Sequence, residues 1–355
     1  MSENVVVIEG VRTPFGRFGG SLSNFDIYDL SAMVMKEVLR RANLDSSVVD
    51  EVYWGVGDTA QCKDVYTPVV ARQALIKAGL PPETVSLSLD SACCAAMTAT
   101  QLAWRAIRLG DIEVAITGGV TMFSQEPLIL RKLRWKGSRL GHILLEDPLF
   151  MLGYKDYNPV AVDTGEVALE HGITREDQDR WALHSHQRYG KAWREEKFKD
   201  EIMPIEIPQG KGTIKVLNID EQYRPDTSLE KLAKLPTIYG SPTITAGNAP
   251  GLNDGATALL VMSRRKAEEL GLKPLGTIVT MARTCLKPRL LAEVPARAIE
   301  KSLSQANLTL DDMKLVEINE AFAAQPLVST KILAERYYDD DKGKLEELRE
   351  KTNVN

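Results

Sequence analysis

The stretch "SLSLDSACCAAMTATQLAWRAIRLGD", residues 86–111, passes from a strand pattern into a helix pattern across two adjacent cysteines. Its lead-in, "TVSLSL" at 84–89, reads as a strand. From Cys93 onward Ala95, Ala99, Leu102, Ala106 and Leu109 recur at three- and four-residue spacing, which predicts an amphipathic helix. A strand leading into a helix is the building unit of an α/β protein with buried sheets. Cys93 and Cys94 fall at the helix N-terminus, where unpaired N–H groups and the helix dipole favour an anion such as a thiolate. A thiolate there suits nucleophilic chemistry. Cysteine is also among the most buried residue types, and Cys-Cys-Ala-Ala permits close helix packing, so from this stretch alone packing is the first reading.

The same pattern occurs twice along the chain. "VVVIEGVRTP" (5–14) and "GTIVTMARTC" (276–285) are both strand-like runs that reach Arg-Thr. Each leads to an amphipathic helix, marked by Leu30, Met33, Val34 and Val38 in one copy and by Ile299, Leu303 and Ala306 in the other. Both helices end in "ANL", Ala42-Asn43-Leu44 and Ala306-Asn307-Leu308, 264 positions apart, and both run on to a strand, "DEVYWG" (50–55) and "KLVEIN" (314–319). Recurrence in one order implies a duplicated unit. The expected organisation is an N-terminal core half at 1–119, a charge-rich inserted loop domain at 120–245, and a truncated C-terminal core half at 246–355. Within the insertion, "TREDQDRWALHSHQRYGKAWREEKF" (174–198) predicts a helix opened by a capping box of Thr174 and Asp177.

A net charge of -5 argues against nucleic acid or an anionic membrane as the main partner. No run approaches the roughly 18 apolar residues of a membrane helix, and the N-terminus lacks the pattern of a secretory signal, so a cytoplasmic protein is expected. Four cysteines, at 62, 93, 94 and 285, form no C-x-x-C pair, and no His stands at zinc-finger spacing. Neither a disulfide framework nor a metal site is indicated.

"LDSACCAAMTA" (89–99) resembles the acylation-site motif of the thiolase family, with Cys93 at the nucleophile and Cys94 at the small position after it. "VRTPFGRFGG" (11–20), "ARQALIKAGLP" (71–81), "TREDQDRWALHSHQR" (174–188), "RPDTSLEKLAKL" (224–235), "TAGNAPGLNDGATALLVMS" (245–263) and "NEAFAAQP" (319–326) resemble further segments of that family in the family's order. The resemblance implies an α/β fold, a duplicated core of layered helices and sheets (αβαβα) with an inserted loop domain. It also implies reversible Claisen chemistry on coenzyme A thioesters through a Cys93 acyl-thioester, with no tightly bound cofactor. Such chemistry needs a nucleophile, a base, and two oxyanion sites. By the resemblance, the Cys93 backbone N–H serves one oxyanion site and Asn319 holds a water at the other. Arg224, the backbone near Ala246, and the pair Ala321 and Phe322 would contact coenzyme A. A homodimer or dimer of dimers is implied as well. The basic run "RKLRWKGSR" (131–139) reads first as a solvated loop.

The chain departs from the family at Pro250, where a Ser is usual, at Ala95, at Thr121, and at Ala161-Val162. Acyl-chain choice is therefore not inherited. The family's base residues, in G-H-P and C-x-G-G-G segments, have no counterpart: no His follows His186 and no Cys follows Cys285. None of His142, His171, His184 and His186 matches the base, and surface or packing roles are expected for His184 and His186. Extending the 264-residue offset places the end of the second copy near residue 385, about 30 beyond Asn355. The expectation is a site completed by a small separate polypeptide, a cleaved fragment or a continuation of the chain. The competing expectation is a noncatalytic acyl-CoA-binding scaffold.

Overall fold

The computed structural model describes residues 3–64, 68–137, 139–150, 152–210 and 212–354, with the backbone only at Lys136. Ser138 of the basic run lies outside the described residues. The strands are β1 (Val5–Arg12), β2 (Gly16–Arg17), β3 (Glu51–Val56), β4 (Val85–Leu89), β5 (Val114–Met122), β6 (Ile205–Pro208), β7 (Ile214–Leu217), β8 (Asn253–Ser263) and β9 (Gly276–Thr277). The α-helices are α1 (Ile27–Ala42), α2 (Val70–Ala78), α3 (Ala95–Leu109), α4 (Leu133–Lys136), α5 (Val160–Glu170), α6 (Arg175–Arg194), α7 (Leu229–Ala233), α8 (Arg264–Glu269), α9 (Val294–Ala306), α10 (Ala324–Tyr338) and α11 (Lys342–Glu350). They divide into two compact units. One comprises Met1–Leu149, Phe198–Gln222 and Leu252–Val279, the other Phe150–Lys197, Tyr223–Gly251 and Thr280–Asn355.

In the first unit seven strands make one sheet in the order β4-β3-β5-β8-β1-β9, with β2 on β8. β3 runs parallel to β4 and β5, as strands joined through helices must, while β8 is antiparallel to β5 and β1. Leu30, Val34 and Val38 of α1 are fully buried, and the buried Trp54 of β3 donates its Nε1–H to Ser31 Oγ at 3.0 Å. Satisfying that one polar atom lets the largest side chain of the core be buried whole. The position of β8 redraws the expected boundary at 245/246. Its apolar run, with both edges hydrogen-bonded, belongs to the first sheet, so the first unit extends to Val279.

The duplication is written in the helix ends. α1 stops at Asn43 (φ 53°, ψ 45°) and α9 at Asn307 (φ 53°, ψ 41°), both left-handed. After each, the Leu N–H closes back on a carbonyl one turn earlier, Leu44 to Leu39 at 3.1 Å and Leu308 to Leu303 at 3.0 Å. Asparagine tolerates this conformation better than other residues with a Cβ, so the shared tripeptide encodes a shared cap. A single 3-10 turn follows in both places, Ser46–Val48 and Leu310–Asp312.

The second unit packs its helices on a core that includes Val167, Trp181, Leu303, Leu310, Ile318 and Leu333. Two expected strands differ from the sequence reading. Of 276–285 only β9 is a strand, on β1, and 314–319 makes a single parallel bridge, Val316 to Thr352. Strand geometry persists only where a neighbour accepts its hydrogen bonds, and among the described residues no longer ladder partner is available to these segments. α6 opens as expected, on a reciprocal capping box of Thr174 and Asp177. No helix among the described residues is long and apolar enough to cross a membrane.

Candidate active site

Cys93 lies in the 3-10 turn Ala92–Cys94 that opens directly into α3, so both cysteines sit at a helix N-terminus. Ala92 adopts φ 47°, a left-handed conformation that costs an alanine about 1–2 kcal/mol. The turn is held by local bonds: Asp90 Oδ1 accepts from Ala92 N–H at 2.7 Å, and Ser91 carbonyl accepts from Cys94 N–H at 3.1 Å. Both thiols reach the surface. The Cys94 thiol pKa is raised, first by desolvation and then by Cys93 beside it. Both causes disfavour the Cys94 thiolate.

The helix sits unusually close to the sheet. A Cβ on Gly55, at the end of β3, would lie 2.5 Å from Ala96 N and 2.6 Å from the Ala95 carbonyl carbon; one on Gly119 would lie 2.7 Å from Gly55 O and 3.3 Å from Ala96 Cβ. Two glycines and the small side chains of Ala95 and Ala96 therefore set the distance from which Cys93 is presented. The buried stripe is Ala95, Ala99, Ala103 and Ile107, with Thr100 and Thr117 hydroxyls 3.0 Å apart between α3 and β5. This corrects the expected stripe. Leu102 and Ala106 are half-buried and Leu109 is 78% exposed, because the contact is made by the smallest side chains and not by the leucines.

The remaining candidates, Arg224, Ala246, Asn319, Ala321 and Phe322, belong to the second unit. Three of them are gathered by Asn248, a buried residue that sequence reasoning missed. Its side chain donates to Asp179 Oδ1 of α6 at 3.0 Å and to Thr243 O at 3.1 Å, and accepts from Thr245 N at 2.8 Å. Its carbonyl accepts from Ala323 N at 2.9 Å, so the Ala246 loop abuts the turn holding Ala321 and Phe322. Ala246 is exposed and Phe322 is buried. Arg224 is exposed, and its N–H donates to His186 Nδ1 at 3.4 Å. Burial, then the nearby Arg224 charge, lowers the His186 pKa, which keeps the ring neutral and able to accept.

Helix α6 organises these segments from two faces. Asp179 and His186, seven residues apart, share one face and hold the Ala246 loop and the Arg224 turn. Trp181, Ser185 and Arg188 share the other; the first two hold Glu320, and Arg188 donates to the carbonyls of Thr352 and Asn353. The packing role expected for His186 thus takes a definite form. No group of three or more His, Cys, Asp or Glu among the described residues could hold a metal.

Residues 5–265 match the thiolase N-terminal domain and residues 272–355 the thiolase C-terminal domain. The acetyl-CoA acetyltransferase of Chromobacterium violaceum is 42% identical over 327 residues, 91% of this chain and 82% of that protein. Human mitochondrial 3-ketoacyl-CoA thiolase, solved in complex with CoA, superposes with a TM-score of 0.89 at 34% identity, covering 99% of this chain and 85% of that one. The Bacillus anthracis acetyl-CoA acetyltransferase gives a TM-score of 0.90 at 36% identity, over 99% of this chain and 86% of that one. With a strand-to-helix cysteine, a duplicated core and both family domains in register, the chain belongs to the thiolase family of acyl-CoA acyltransferases.

Proposed function

We propose that Cys93 is the nucleophile of this acyltransferase. Its thiolate attacks the thioester carbonyl of an acyl-CoA, the C–S bond to coenzyme A breaks, and coenzyme A leaves with a proton while the acyl group stays on sulfur. In the second step the α-carbon of an acetyl-CoA enolate attacks the acyl carbonyl and the C–S bond to Cys93 breaks, returning the thiolate. In the degradative direction Cys93 attacks the 3-keto carbon of a 3-ketoacyl-CoA, the C2–C3 bond breaks, acetyl-CoA leaves as an enolate that takes up a proton, and the acyl group passes from sulfur to coenzyme A. The Cys93 backbone N–H stabilises the tetrahedral oxyanion, and Asn319 serves the enolate through a bound water. Arg224, Ala246, Ala321 and Phe322 hold coenzyme A, with guanidinium suited to phosphate or adenine. The reading is carried by one observation: an exposed thiol at a helix N-terminus whose close approach to the sheet two glycines make possible.

The base residues of this chemistry come, in the same proposal, from outside residues 1–355, on a separate small polypeptide, a cleaved fragment or a continuation of the chain. This is supported by the lack of a G-H-P or C-x-G-G-G segment in residues 1–355; of the histidines present, His186 accepts from the Arg224 N–H at 3.4 Å and His171 faces Glu293 at 3.1 Å. A homodimer, alone or paired into a dimer of dimers, is supported by β4. It is an edge strand with Val85 58% and Leu87 45% exposed, a combination that invites pairing with a second copy. A cytoplasmic location is supported by four free cysteines.

Intact-mass analysis of the protein as isolated, before and after acetyl-CoA, tests the reading. One added acetyl group is expected, lost in Cys93→Ala and retained in Cys94→Ala. No label on the wild type, or equal loss in both variants, removes Cys93 from the mechanism.

A further inference from the structure

Within the second unit, Asn319 is flanked on both sides by residues whose positions are fixed from elsewhere in the chain. On its N-terminal side, the Asn353 side chain stands where the backbone of a neighbouring strand would. Asn353 Oδ1 accepts from Ile318 N–H at 2.8 Å, and Asn353 Nδ2 donates to the Ile318 carbonyl at 2.8 Å. Asn353 is itself left-handed (φ 50°), and its own N–H donates to Val316 O at 2.9 Å. On the C-terminal side, the Glu320 carboxylate accepts three bonds: from Trp181 Nε1 at 2.8 Å, from Ser185 Oγ at 2.8 Å and from Asn353 Nδ2 at 2.9 Å. Trp181 and Ser185 are one turn apart on α6, and the Trp181 ring is 7% exposed, so the donors are carried by a packed helix. Asn319, between these clamps, is exposed and forms no hydrogen bond among the described residues.

This arrangement fixes a peptide and leaves one amide side chain available. A group that must aim a water or an oxyanion gains from such support, because its own contacts with substrate are too few to orient it. We propose that Glu320, gripped by Trp181, Ser185 and Asn353, is a positioning residue that sets the direction of the Asn319 side chain; this rests on the reading of Asn319 as the holder of an oxyanion-site water. Bonds to a charged acceptor are about twice as strong as neutral ones, which suits the carboxylate to a site where direction matters more than contact area. Asn353 couples the two clamps, since its amide group serves both Ile318 and Glu320.

The test is steady-state turnover of the protein as isolated, with any chain that co-purifies, in Glu320→Ala, Glu320→Gln, Ser185→Ala, Asn319→Ala and the double variant Asn319→Ala/Glu320→Ala. Glutamine can keep all three bonds, its carbonyl oxygen accepting from Trp181 and Asn353 and its amide donating to the Ser185 hydroxyl. Glu320→Gln should therefore retain kcat within about threefold, whereas Glu320→Ala should lower it tenfold or more, towards the roughly hundredfold that a misplacement of about 1 Å costs, with KM nearly unchanged. The decisive result is the cycle: in the Asn319→Ala background, Glu320→Ala should have no further effect on kcat. Additive losses, or equal loss of kcat in Glu320→Ala and Glu320→Gln, overturn the proposal. If Glu320→Ala does not fold, Ser185→Ala carries the test, with lowered kcat at constant KM expected and unchanged kcat refuting it. Acetylation of Cys93 is measured alongside. A wild type that neither acetylates nor turns over refutes the underlying acyltransfer reading, while a wild type that does both with an unaffected Glu320→Ala refutes the positioning role alone.

Discussion

Gly55→Ala should damage the nucleophile from across the sheet. The new Cβ would meet Ala96 N at 2.5 Å, the Ala95 carbonyl carbon at 2.6 Å and Ala95 Cβ at 2.9 Å, and the first two are backbone atoms that no rotamer change can move aside. To restore an ordinary contact of 3.4 Å, the start of α3 must retreat by about 0.9 Å from β3, and the turn carrying Cys93 moves with it. Overpacking of this kind costs about 1–3 kcal/mol of stability. A displacement near 1 Å at reacting groups costs about a hundredfold in rate. The assays are a urea titration and the rate of Cys93 acetylation by acetyl-CoA followed by mass. Gly57→Ala is the control, because a Cβ there meets only Thr121 Oγ1 at 3.6 Å, an ordinary contact. The expected outcome is a lower urea midpoint and an acetylation rate reduced tenfold or more for Gly55→Ala, with Gly57→Ala close to wild type on both. Wild-type rate and midpoint in Gly55→Ala would show that helix-to-sheet distance does not govern Cys93 presentation, and would refute the reasoning.

Two further predictions concern stability. Glu126, which accepts from Gln61 Nε2 at 2.7 Å, has its pKa pushed up to about 7, first by desolvation and then by its acidic neighbours Asp58 and Asp147. A carboxyl raised in the folded state binds its proton more tightly there, so its contribution is full below the ordinary value of 4.5 and declines as pH rises towards 7. Glu126→Gln should therefore gain urea resistance relative to wild type at pH 8 and little at pH 4.5, and an equal difference at both would be contrary to the assigned shift. At the duplicated caps, Asn43→Ala and Asn307→Ala should each cost about 1 kcal/mol in urea unfolding, and Asn→Gly substitution at either position should be close to neutral. A loss confined to one copy would argue that the two caps are not energetically equivalent.

Local signals carried well from sequence to structure. The "ANL" tripeptides became matching left-handed caps, Thr174 and Asp177 became a reciprocal capping box, and the cysteines stood at a helix start, because each of these depends on residues within a few positions. The stripe of α3 did not carry, since leucine spacing gave no sign that glycines 55 and 119 admit alanines instead. The strands expected at 276–285 and 314–319 did not carry either, because a strand is a property of a pair and its partner must be at hand.

The sequence by itself determined the duplicated α/β plan, the thiolase resemblance and the identity of the nucleophile candidate. It could do so because strand, helix start and cap are short-range patterns, and because family motifs keep their order along the chain. Only the tertiary structure decided how the second unit assembles its part of the site. Asn248 reaches Asp179 across 69 positions, and Glu320 reaches Trp181 across 139. Those bonds exist because α6 presents donors and acceptors on two opposed faces, and nothing within the local sequence of either partner states that they will meet.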